Sequence, residues 1–198
     1  LGIAVAQTPF IDSILSQENV HDTSKIKSII DYGTKTKGAS FDVALQAFCT
    51  ADSLASSKAQ KQNIYKELQG DAKKEKGVAH WQLGQNDTAV EQLKKALEIF
   101  TELRLHLKKA DVLNTIGIIY ATQANYNDAL TYFQRFLEIG KSLNDKQIIA
   151  RAHNNFGLIY WNQGIYDKAI DEFLSALRLN EELGNKQIMS GNYNNIGN

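Results

Sequence analysis

The sequence predicts an all-α protein: a stacked array of antiparallel helix pairs. Three observations carry the prediction. Glycines at 77, 117, 157 and 197 each lie 40 residues from the next, with similar residues around each, and a regular spacing of this size marks a repeat array rather than a globular enzyme. Apolar residues recur at helical spacing, as in Ile26, Ile29 and Ile30, or Ala169, Phe173 and Ala176. One proline in 198 residues suits long uninterrupted helices, because proline inside a helix costs about 3 kcal/mol.

Residues 1–7 open LGIAVAQ. Ala4, Val5 and Ala6 followed by Gln7 read either as the small-residue end of a secretory signal or as an ordinary apolar lead-in. The first reading places the chain in a bacterial periplasm or outside the cell; the alternative is cytoplasmic. An N-terminal region follows over 8–58. Thr8 as a cap and Pro9 at the first helical position predict a short helix at about 9–16. Asp22, Thr23 and Ser24 offer the next cap, for a helix at about 23–36 that stops in the Gly33–Gly38 region. From Phe41, the residues Ala44, Phe48 and Ala51 keep the spacing of Ala169, Phe173 and Ala176. This segment is predicted to be the second helix of a degenerate first repeat.

The repeat region proper is expected over 59–198, divided at 59–105, 106–145 and 146–185 with a partial unit at 186–198. Residues 59–84 read as one long helix, bent or broken at Gly70. From Gly77 the register is strict, for GVAHWQLGQNDTAVEQLKKAL, GIIYATQANYNDALTYFQRFL and GLIYWNQGIYDKAIDEFLSAL align without a gap. Each contains a helix, a turn at Gly84, Ala124 or Gly164, and then Asp87, Asn127 or Asp167 near the start of a second helix, so that turn and cap chemistry agree with the apolar periodicity. The second helices should end near Leu103, Leu143 and Leu183. Asn144 and Gly184 then suit the left-handed closing conformation, whereas Arg104 does not, so the turn at 104–107 is expected to differ. The outer face of the last unit lacks the polarity of a capping repeat, and the array is expected to continue past Asn198.

Within each unit, Ala89, Ala129 or Ala169 sits twelve positions after the glycine of the first helix. These small residues let the paired helices approach closely. Tyr120 and Tyr160, with His80 in the same slot, and Phe133 and Phe173, with Leu93 in theirs, are the expected fillers around them.

Gly117 and Tyr120, Gly157 and Tyr160, and the series Ala169, Phe173, Ala176 resemble the tetratricopeptide repeat family over about 41–198. Three departures stand against its usual pattern: a period of 40 rather than about 34, no proline after the second helix, and Phe136 where a small alanine is usual. The longer period is similar to the subgroup found in kinesin light chains and many bacterial regulators. DTSKIKSI at 22–29, NNFGLIY, YDKAI and EELGNKQ resemble runs in the repeat regions of bacterial sensor histidine kinases and related helix-turn-helix regulators. The resemblance implies a right-handed superhelical solenoid whose first helices line a concave groove for a protein or peptide partner, in the sensing or regulatory region of a bacterial signalling protein. Two alternatives stay open: a regulatory fragment of a histidine kinase or transcription regulator whose output domain lies after residue 198, and a self-associating scaffold that forms a homo-oligomer.

In that geometry, Arg151, Asn154, Leu158 and Trp161 face the groove from one repeat, and Asp111, Asn114, Ile118 and Thr122 from the preceding one. Asn155, Asn194 and Asn195 lie beside this stripe, and Trp81 occupies the slot of Trp161 two repeats earlier. An asparagine amide both donates and accepts, so a ladder of them matches the main chain of an extended peptide. The other role for these asparagines is solvated surface or a bond between neighbouring repeats. A groove tryptophan is either a binding anchor or packing between repeats.

Other chemistries find no support. Lysine plus arginine equals aspartate plus glutamate at 22 each, so no net field favours nucleic acid, anionic lipid or an acidic substrate. No apolar run is long enough to insert in a membrane. His21, His80, His106 and His153 fall at no metal-ligand spacing, and GTKTKG at 33–38 lacks the spacing of a phosphate loop. Cys49, alone in the chain, forms no internal disulfide and reads as a buried apolar residue. No nucleophile, base and orienting group can be assembled, so neither a cofactor, a metal nor enzymatic activity is expected.

Overall fold

The computed structural model describes residues 8–58 and 62–184. Residues 1–7, Asn194, Asn195, Gly197 and the partial unit at 186–198 lie outside the described residues. Among those described, the order is α1 (Pro9–Leu15), α2 (Asp22–Thr36), α3 (Phe41–Ser56), α4 (Asn63–Gln82), α5 (Asn86–Glu102), α6 (His106–Thr122), α7 (Tyr126–Leu143), α8 (Lys146–Asn162) and α9 (Tyr166–Glu182), with no strand. The fold is all-α and of the helical-repeat solenoid class. The helices fall into two compact units, α1–α5 and α6–α9.

In the first unit, Pro9 opens α1 as expected, but the Thr8 hydroxyl makes no capping bond. The cap of α2 is His21 rather than Asp22, Thr23 or Ser24: its Nδ1 accepts from the Thr23 backbone N–H at 3.4 Å, which starts the helix at Asp22. Helix α2 then packs on α3 through Gly33, where an added Cβ would lie 2.7 Å from Cε1 of Phe48. Ile26, Ile29 and Phe48 are almost wholly buried in the core formed there. A helix with a weak sequence signature therefore makes the same glycine–phenylalanine contact as the strict repeats.

Gly70 neither bends nor breaks the long helix, since α4 is continuous from Asn63 to Gln82. Its missing side chain leaves room for the ring of Phe100, whose Cε1 would stand 2.5 Å from a Cβ at that position. Glycine in a helix interior costs about 1 kcal/mol relative to alanine, and burial of a phenylalanine returns about 1.5–3 kcal/mol. Packing thus outweighs propensity. Cys49 also differs from expectation: it is exposed on α3, not buried.

The second unit repeats one contact twice. A Cβ on Gly117 would lie 2.5 Å from Cε1 of Phe133, and a Cβ on Gly157 the same 2.5 Å from Cε1 of Phe173. Ala129, Ala169, Phe133 and Phe173 are buried beside them. The tyrosines are less central than predicted. Tyr120 is half-buried and stacked on Tyr132 at 5.6 Å, and Tyr160 is half-buried beneath the Lys168 ammonium at 5.6 Å. Their hydroxyls need water or a partner, which keeps these rings at the edge of the pair.

The turns follow one backbone plan irrespective of residue type. Gly84 and Gly164 have φ +74°, and Ala124 has φ +57° in the same place. At the helix ends Asn144 has φ +51°, Gly184 +66°, and Arg104 +55°. The turn at 104 therefore does not differ in hand. The N–H of Leu105 bonds to the Phe100 carbonyl at 2.9 Å, as the N–H of Asp145 bonds to the Gly140 carbonyl at 2.9 Å. Closing those carbonyls offsets the roughly 1–2 kcal/mol that a side chain costs in left-handed backbone. Asp87, Asn127 and Asp167 lie near the start of their helices as expected, each at the second position. The cap of α7 is Asn125. No helix among the described residues is long and apolar enough to cross a membrane.

Candidate functional site: a cleft between α6 and α8

Helices α6 and α8 are the first helices of the two pairs in the second unit. Gly117 and Gly157 turn toward Phe133 and Phe173, so the next residues along, Ile118 and Leu158, are carried about 100° round their helices, away from those partners. They meet in a cleft of about 250 Å³ lined by Ile118, Ala121 and Thr122 of α6, Phe133 of α7, and Asn155, Leu158, Ile159 and Asn162 of α8. None of these carries a charge. Leu158 remains 45% exposed there, and Ile118 is half-buried.

Of the predicted groove residues, Ile118, Asn155 and Leu158 come together in this cleft, as does Thr122. Asn114 does not line it and is 6% exposed, and its Oδ1 accepts from Nδ2 of Asn155 at 2.7 Å. Asn155 therefore makes the bond between repeats that was the alternative to a ligand contact. Arg151 stands 4.0 Å from Asp111, both well exposed, with its guanidinium 5.4 Å from the Phe136 ring. Asn154 is half-buried and does not line the cleft. Trp161 is half-buried and set edge-on to Tyr166, with centroids 5.0 Å apart, so it packs at the α8–α9 turn. Trp81 belongs to α4 in the first unit and takes no part. Asn162 was missed, although one more helical turn beyond Leu158 reaches it.

Charge lies elsewhere. His153 Nδ1 is 2.6 Å from Glu172 Oε2, joining α8 to α9. In the first unit a second cleft, of about 310 Å³, lies between the first helices α2 and α4 and includes Lys27, Asp31, Asp71, Lys74 and Glu75 in its lining. Glu75 pairs with Lys37 at 3.4 Å and Lys74 at 3.3 Å. Asp22 at the start of α2 binds Lys58 after α3. The hydrogen bond from Lys58 holds the Asp22 carboxyl below its usual range, and the same bond raises the Lys58 ammonium. Among the described residues no three His, Cys, Asp or Glu side chains are grouped to hold a metal ion.

Models of the tetratricopeptide repeat match residues 70–142 and 150–183, together more than half of the chain. No curated protein matches the sequence. Among solved structures, the chain is similar to BtubC (BKLC) from P. vanneervenii, with 20% identity and TM-score 0.79 over 95% of this chain and 76% of that one. It is similar to a signal transduction ATPase with numerous domains from Pyrococcus horikoshii, which has a tetratricopeptide repeat sensor, with 16% identity and TM-score 0.81 over 94% of this chain but 28% of that one. A Rap protein complexed with competence and sporulation factor shows 20% identity and TM-score 0.66, over 90% of this chain and 50% of that one. At such identities the likeness is one of fold.

Proposed function

The chain belongs to the tetratricopeptide repeat family, and from that membership we propose that it binds a protein or peptide segment through the cleft between α6 and α8. The observation that carries this reading is the presence of Leu158 and Ile118 in the lining of one uncharged cleft, together with Asn155 and Asn162. A scattered exposed leucine is ordinary, but a concave apolar surface with a few polar groups at its edge is the usual form of a binding site. Covering the Leu158 side chain fully would contribute roughly 1–2 kcal/mol. The setting we propose is the sensing or regulatory region of a bacterial signalling protein. One structural neighbour is named for a tetratricopeptide repeat sensor and another was solved with a bound factor, which supports that setting.

The test is to pan a random peptide library on the full chain and titrate the recovered peptides by fluorescence polarisation. Leu158→Asp should weaken them about tenfold or more while its denaturation midpoint stays within about 0.5 kcal/mol of the parent, as for other exposed sites. Recovery of no peptide, or of peptides indifferent to Leu158→Asp, would exclude this cleft.

A further inference from the structure

Resting on that peptide-binding reading, we propose that the α6–α8 cleft takes one bulky, uncharged apolar side chain of the bound segment and rejects charged ones. Its volume of about 250 Å³ lies near the lower end of the range for small-molecule pockets and has room for one bulky side chain. None of its lining residues is charged. The nearest charged pair on these two helices, Arg151 and Asp111, is set against itself at 4.0 Å, and its opposite fields largely offset. A charged side chain entering the cleft would lose water without gaining a counter-ion.

The polar groups are placed for the main chain of the partner. One N–H of the Asn155 amide is committed to Asn114, leaving its second N–H and its Oδ1 for a partner, and the Thr122 hydroxyl donates to the Ile119 carbonyl at 2.8 Å. Asn162, also in the lining, supplies both a donor and an acceptor. Repeat architecture does not impose this neutrality: the cleft between α2 and α4, also between first helices, is lined by five charged side chains. The difference lies in the residues, and it sets what each cleft can accept.

Isoleucine and leucine methyl NMR spectra of the full chain, titrated with capped single residues, test this. The probes are the N-acetyl methylamides of leucine, phenylalanine, lysine and glutamate. The leucine and phenylalanine probes should move the Ile118 and Leu158 methyl signals, and the lysine and glutamate probes should leave them in place. Leu158→Asp should reverse the preference, favouring the lysine probe over the leucine probe by about tenfold or more. Equal shifts from charged probes, no shift from either apolar probe, or an unchanged preference in Leu158→Asp would overturn the proposal. Recovered peptides that bind here with a charged anchor would overturn it too, while leaving peptide binding intact; a failure to recover any peptide would instead count against the binding reading.

Discussion

Replacing Gly117 by alanine tests the packing rule from which the repeats are built. The added Cβ would stand 2.5, 2.7 and 3.0 Å from Cε1, Cδ1 and Cζ of Phe133. Contacts near 2.5 Å are far inside van der Waals range, and the ring has little room to yield. Phe133 is 2% exposed and set edge-on to Phe156 at 6.4 Å. Overpacking of this kind costs about 1–3 kcal/mol, against a gain of about 1 kcal/mol from alanine in a helix interior. The expected result is a net loss of up to roughly 2 kcal/mol in place of the gain. Phe133→Ala alone should cost about 3–5 kcal/mol through its cavity, and the double variant should cost less than the sum because the new methyl enters the space the ring has left. Urea denaturation followed by circular dichroism, on both singles and the double, measures the cycle. A gain of about 1 kcal/mol for Gly117→Ala, as in an unhindered helix, or strict additivity in the double variant, would refute the reasoning.

Two further predictions come from polar contacts. Asn155→Ala removes the donor to the buried Oδ1 of Asn114 and should cost about 1–3 kcal/mol in urea denaturation, less when Asn114→Ala removes the stranded acceptor as well; an unchanged midpoint would show that water replaces the bond. Asp22→Asn should lower the thermal midpoint over a defined pH range. The native Asp22 carboxyl lies below its usual 3.8, so its contribution is present above that pH and is lost as pH falls through the lower native value. The Lys58 ammonium lies above its usual 10.5, so its contribution is present below that value and fades as pH rises past the higher native one. The gap between Asp22→Asn and the parent should therefore be open near neutral pH and close in strong acid. A gap that persists there would assign the effect to packing.

What was legible in the sequence is what packing dictates at fixed spacing. Gly117 with Phe133 and Gly157 with Phe173 are each sixteen residues apart, and both pairs meet as contacts of one geometry. Gly33 and Phe48 make that contact at a spacing of fifteen, which is why α2 escapes a search in strict register. Gly70 misled because glycine in a helix has two meanings, a weak point or a place for a neighbouring ring, and only the position of Phe100 decides between them. Arg104 and Ala124 misled for a related reason. Left-handed backbone is set there by carbonyls that must be closed at each helix end, and the fold imposes it even on residues that do not favour it.

The asparagines show why sequence reads a binding surface less well than a core. Asn114, Asn154 and Asn155 share one amide chemistry and adjoining helical positions, and nothing in their spacing separates a group that faces a partner from one that faces a neighbouring repeat. The separation is made by distance: 2.7 Å from Asn155 to Asn114 commits one donor and one acceptor, buries Asn114, and brings α8 alongside α6 where Leu158 and Ile118 meet. A residue chosen as a reader of peptide main chain is thus first a positioning residue for the cleft. Binding experiments on Asn155→Ala consequently confound a lost contact with a displaced helix, and Leu158, exposed in the cleft and outside the core, is the position at which binding is separated from folding.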